Sequence, residues 1–182
     1  MTLLDSTLVG EPCVASPPVA EGSHVLVLGI GNVLMGDEGV GVHVLRTLEL
    51  EPEIPGVRLL DGGTGGVNLL TEFDGVSAIV LVDATYDGQP AGTVTYLQPK
   101  RVADLPRGLG AHDFGLKDLF AAAALIGRMP ELHLYTISVA QIQPMCTELS
   151  PAVEDALPIA TRRIHTHAVR LARGAEMPAE AH

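Results

Sequence analysis

Val25-Leu26-Val27-Leu28-Gly29-Ile30-Gly31-Asn32-Val33-Leu34-Met35-Gly36-Asp37-Glu38-Gly39-Val40-Gly41 reads as a buried strand, a glycine-rich turn and a helix that begins with two acids. Val25 to Leu28 is apolar with alternate β-branching, the pattern of a strand covered on both faces. Gly29 and Gly31 permit a tight turn at the carboxyl end of that strand. Helical spacing then appears at Val40, Val44, Leu45 and Leu48. Asp37 and Glu38 fall in or just before the first helical turn, where the helix dipole favours negative charge. An acid at a helix start is ordinarily a cap, and Asp37 takes that reading here. Glu38 is the candidate for chemistry, because open α/β sheets bind ligands at the carboxyl ends of their strands. A dinucleotide fingerprint fits poorly: Gly29-Ile30-Gly31-Asn32-Val33-Leu34 has the first two glycines of GxGxxG but leucine at the last. The acids at the helix start would also repel a pyrophosphate.

At 182 residues the chain suits one domain with a full core. Apolar residues make up 47% and tryptophan is absent, so small aliphatic side chains build the interior, as in a parallel sheet with helices on both faces. Eleven basic against twenty-two acidic residues give a formal charge of −11, which argues against nucleic acid and against an anionic membrane surface. Cys13 and Cys146 make neither a disulfide framework nor a metal-site spacing. Residues 1–22 lack a basic start and are broken by Asp5, Glu11, Pro12, Pro17 and Pro18, unlike a signal peptide. No apolar run approaches the ~20 residues of a membrane span. The expectation is a cytoplasmic protein.

Taken in order, residues 1–22 read as a flexible N-terminal extension, 23–173 as the α/β domain and 174–182 as a flexible C-terminal tail. The first helix ends near Leu50, before Pro52 and Pro55. Val57 to Asp61 is a second strand, followed by the turn Gly62-Gly63-Thr64-Gly65-Gly66 and a short helix from Val67 to Phe73. Ser77 to Ala84 is the central strand. Gly92 to Gln98 alternates as an edge strand that can run antiparallel. A long connection over 99–114 delivers His112 to a helix spanning Gly115 to Gly127. Leu132 to Val139 is the last strand, and Ser150-Pro151 opens a final helix that ends near Arg173, with serine as cap. The predicted fold is a single three-layer α/β/α domain with a mostly parallel twisted sheet of about five strands and helices on both faces.

Glu38, Asp61, Asp83 and His112 all stand where a strand ends or a helix begins, positions that converge on one rim of such a sheet. Two carboxylates and an imidazole make a sensible ligand set for a first-row divalent metal, nickel and zinc alike. Each has a plainer reading beside it. Asp83 can bond a neighbouring amide, Asp61 can tie down the glycine turn, and a loop histidine is ordinarily surface. His24, His43, His133, His165, His167 and His182 take that surface reading. No GxSxG or HExxH is present, and Cys146 has no motif partner, which disfavours a nucleophilic hydrolase but not a metal-assisted one.

Five segments in order resemble the hydrogenase maturation endopeptidases: Leu28 to Gly41, Leu60-Asp61-Gly62-Gly63-Thr64, Val82-Asp83-Ala84, His112 to Leu119, and Glu148-Leu149-Ser150-Pro151. The match covers roughly residues 24–173. The resemblance implies a peptidase that binds a nickel–iron hydrogenase large-subunit precursor after nickel insertion and removes its C-terminal extension by hydrolysing one peptide bond. It places the family's metal-contacting residues at Glu38, Asp83 and His112, with nickel supplied by the precursor and no tightly bound cofactor in the free enzyme. Asp61 matches the acid of the second motif, read as orienting a ligand or the glycine turn. The resemblance also implies a monomer. Gly110 departs from the hydroxyl residue that relatives often carry two places before the histidine, and residues 1–22 have no counterpart. Two other readings stand beside it: a non-enzymatic nickel-binding maturation factor, and a nucleotide-binding α/β enzyme.

Overall fold

A computed structural model describes residues 25–106, 108–109 and 113–174, without the side chains of Asp113 and Phe114. The expected N-terminal extension, all but the first residue of the expected C-terminal tail, His24, Gly110, His112 and His182 lie outside the described residues.

The strands are β1 (Val25–Ile30), β2 (Val57–Gly63), β3 (Ala78–Thr85), β4 (Val94–Leu97) and β5 (Glu131–Ser138). They form one sheet in the order β2-β1-β3-β5-β4. The first four in that order run parallel, and β4 pairs antiparallel with β5 at the edge, Val94 facing Ile137 and Tyr96 facing Tyr135. The helices are α1 (Val40–Leu48), α2 (Asp113–Leu125) and α3 (Pro151–Ala172). The predicted architecture is therefore the observed one.

Side-chain alternation along the strands builds the two cores. Val25, Val27, Val80, Val82, Tyr135 and Ile137 pack with Val44, Leu45, Ala160 and Ile164 under α1 and α3. Leu26, Leu28, Ile79, Leu81 and Leu134 pack with Phe73, Leu116, Leu119 and Phe120 under α2. β1 and β3 are buried at every position, so both faces of the central strands contribute. Each such side chain stabilises the fold by about 2 kcal/mol relative to exposure.

Several boundaries differ from the expectation for local reasons. β1 continues to Ile30 and β2 to Gly63, because Ile30 pairs with Gly63 beyond an irregularity in the ladder. Asp61 therefore lies inside a strand. α1 stops at Leu48, and residues 113–125 rather than 115–127 are helical. Val67–Phe73 is a 3-10 helix, a type that apolar spacing over seven residues does not reveal.

Candidate active site

Asp37 and Glu38 occupy a 3-10 turn, Gly36–Gly39, placed between β1 and α1. Both are buried. The expected capping role of Asp37 is not what the structure shows: Gly39 holds the N-cap position of α1, with no side-chain cap bond. The Asp37 carboxylate instead crosses to the start of α3. Its Oδ1 accepts the Ser150 backbone N–H at 2.6 Å and its Oδ2 accepts the Ser150 hydroxyl at 2.8 Å. Ser150 stands at the predicted cap position of α3, but its hydroxyl is spent on Asp37 and makes no cap bond to the helix. A charged acceptor paired twice in a buried setting is a strong tether.

The glycines set the depth of this turn. Gly31 has φ +142, and a Cβ there would run into the Glu38 carbonyl oxygen. A Cβ on Gly41 would run into the carbonyl oxygens of Ile30 and Val82. The glycine-rich turn is thus filled by the chain's own backbone, which brings the first turn of α1 against β3 beside Asp83. These glycines serve close backbone packing rather than the approach of a phosphate, which disfavours the nucleotide-binding reading.

Asp83 is buried near the carboxyl end of β3, in register with Thr136. Its Oδ1 accepts the Ala84 N–H at 2.8 Å, the neighbouring-amide bond that the plainer reading allows. Strand alternation turns it to the α2 side, with Ile79 and Leu81. The 3-10 turn of Glu38 packs against this same strand. Asp61 is exposed, and its Oδ1 accepts the Gly63 N–H at 2.8 Å, so it does tie down the glycine turn. β1 separates β2 from β3, which puts Asp61 about 10 Å from β3, two inter-strand spacings away. Leu60 packs towards α2, so Asp61 points to the other face from Asp83. The turn that carries Glu38 packs against β3, the strand that carries Asp83, and Asp61 stands two strands away. Among the described residues no three His, Cys, Asp or Glu side chains are grouped to hold a metal ion.

A family model described as hydrogenase maturation protease matches residues 42–167. The chain belongs to the hydrogenase maturation protease family. The match spans Asp61, Asp83 and His112 and begins four residues after Glu38. The hydrogenase expression/formation protein HupD of Rhodobacter capsulatus is 34% identical over 169 residues, 87% of this chain and 79% of that protein. The hydrogenase 2 maturation protease of Escherichia coli is 33% identical over 135 residues, 72% of this chain and 82% of that one. The solved structure of the hydrogenase maturating endopeptidase HybD from E. coli superposes with a TM-score of 0.73 at 30% identity, covering 79% of this chain and 91% of that chain.

This maturation protease also holds a buried polar cluster that the surface reading of its histidines missed. His133 and His167 are buried, with ring centroids 4.6 Å apart. Tyr96 Oη lies 2.9 Å from His133 Nδ1, and Tyr135 Oη lies 3.0 Å from His167 Nδ1. Burial pushes His167 down to about 4, with the positive charges of His133 and Arg170 adding to it. Burial also lowers His133, opposed by Glu131 and assisted by Lys100. His43 and His165 are half-buried. A signal was available for His167, which continues the buried α3 series Val153, Ala156, Ala160, Ile164.

Proposed function

We propose that this protease removes the C-terminal extension of a nickel-loaded large-subunit precursor of a nickel–iron hydrogenase, the nickel arriving with the precursor. The observation that supports the reading is that Glu38 and Asp83 are both buried, one on a turn and one on a strand that pack together at the carboxyl edge of the sheet. Carboxylate oxygens at the carboxyl edge of an open α/β sheet suit an incoming divalent cation. His112 completes the proposed contact set. The described chain on both sides of it is fixed at this rim: Leu109 bridges to Thr85, and Gly115 packs against Gly66.

Peptide hydrolysis needs a polarised carbonyl and an activated water. The substrate's nickel would polarise either, and Glu38 or Asp83 would take up the water's proton and pass it to the departing amine. Asp61 serves the glycine turn rather than the metal. The protein acts as a monomer in the cytoplasm on this reading; among the described residues no helix is long and apolar enough to cross a membrane.

The test is the intact mass of nickel-loaded and nickel-free precursor before and after incubation with this protein. Loss of one C-terminal peptide from the nickel-loaded sample alone is expected. An unchanged mass, with tight nickel binding by the protein itself, makes it a nickel-binding factor instead. Glu38→Gln, Asp83→Asn and His112→Ala should each slow processing by about 100-fold or more. Normal rates in all three would overturn the site.

A further inference from the structure

The loop between β5 and α3 is tied to the turn that carries Glu38. Met35 and Cys146 form an isolated parallel bridge. Gly36 N–H donates to the Cys146 carbonyl at 2.8 Å, and Gln143 N–H donates to the Met35 carbonyl at 3.3 Å. The Asp37–Ser150 pair closes the far end of the same loop. The apolar side chains beside these ties do not turn inward. Leu34 is 53% exposed, Ile142 42% and Met145 89%. Met145 has φ +60, and among the described residues it is the one non-glycine in the left-handed region. That backbone is unfavourable for a methionine and persists only where surrounding bonds hold it, which is typical of ligand-contacting segments. A rigid loop that strains its backbone to leave methionine in water presents a contact surface. Methionine suits such a surface because its side chain adapts to a partner's shape.

Charge defines the partner. Among the described residues, the loop segments 31–35, 64–66, 86–93, 108–109 and 139–149 that close the carboxyl edge contain Asp87 and Glu148 and no lysine or arginine. Val67 and Tyr86 add exposed apolar surface along the same edge. We infer that Leu34, Ile142 and Met145 form a docking lip for an apolar segment of the precursor flanked by basic side chains, continuous with the Glu38–Asp83 site. The inference rests on the processing reading for the identity of the precursor. The lip supplies binding, so its loss raises KM and leaves the chemical step alone.

Leu34→Glu and Met145→Glu place a charge on residues already in water, so each should fold and melt as the parent does. Against nickel-loaded precursor, each should raise KM about tenfold with kcat unchanged, the scale of one interface anchor. Leu125→Glu, at an 88% exposed position at the end of α2, should change neither. KM of the parent should rise with salt, as an acidic rim requires. Unchanged KM in both lip variants, or a salt-independent parent KM, overturns the inference. So does a concentration-dependent parent dimer abolished by Leu34→Glu, which would make a second copy the occupant. Direct titration of labelled precursor binding separates the two readings. If the parent binds but never cleaves, the processing reading fails while the variants' Kd still decides the lip.

Discussion

At the scale of single residues, the least expected feature is that Asp37, read as a cap of the first helix, acts instead on the far end of the chain. Its carboxylate satisfies both the amide and the hydroxyl of Ser150. Removing it strands two donors in a half-buried place, whereas removing the Ser150 hydroxyl forfeits one bond and leaves the amide bond intact. Asp37→Ala should therefore destabilise the protein by about 3 kcal/mol and Ser150→Ala by about 1 kcal/mol. Urea titration of the two variants checks the order. A Ser150→Ala loss equal to that of Asp37→Ala would mean the hydroxyl bond carries the tether. Because Asp37 adjoins Glu38, Asp37→Ala should slow precursor processing as well, through the placement of its neighbour. This pairing is not legible in sequence. Asp37 and Ser150 each carry an ordinary capping signature, and nothing local shows that the two signatures are spent on one another across 113 positions.

At the scale of elements, what the sequence states clearly is the alternation of β1, β3 and β5 with helical segments, because β1 and β3 are apolar on both faces, β1 running into a glycine turn and β3 carrying an acid near its end. The three-layer fold and the edge position of β4 follow from those patterns. Less legible is what the glycines do. A glycine-rich turn after a strand ordinarily invites a phosphate, and only the close approach of helix to strand shows that here the turn is packed shut. Two glycines with positive φ make the distinction measurable. Gly31 stands against the Glu38 carbonyl, while Gly75, at φ +73, has open space where a Cβ would go. Gly75→Ala should cost about 1 kcal/mol, the conformational penalty alone. Gly31→Ala adds a backbone collision and should cost about 3 kcal/mol or more, with loss of processing because the collision displaces Glu38 itself. Thermal melting alongside a processing assay separates the two; equal melting temperatures would show that the turn moves freely.

At the scale of the whole molecule, the buried histidine cluster couples the sheet to α3 and sets how the protein responds to acid. His133 on β5 and His167 on α3 face Tyr96 from β4 and Tyr135 from β5, with Arg163 stacked over Tyr135 and with Glu131, Lys100 and Arg170 as the nearby charges. His167 titrates at about 4 when folded and near 6.5 when unfolded. A lowered folded value means that the unfolded chain binds the proton first. Stability is therefore unaffected above pH 6.5 and is lost progressively as pH falls from there towards 4, by about 2 kcal/mol at pH 5 for a shift of this size. Lowering of His133 adds a loss of the same sign. The acidic surface works in the opposite direction, since a formal charge of −11 means that protonating carboxylates relieves repulsion. The two effects are separable because the histidines lose stability above the range in which ordinary carboxylates titrate. His167→Phe keeps a buried ring in place and removes the proton site. The unfolding free energy of the parent should fall between pH 7 and pH 5, and that of His167→Phe should fall by less over the same interval, whatever its absolute value. Parallel curves would mean that α3 admits the imidazolium without cost, and that the cluster is a packing feature with no bearing on acid stability.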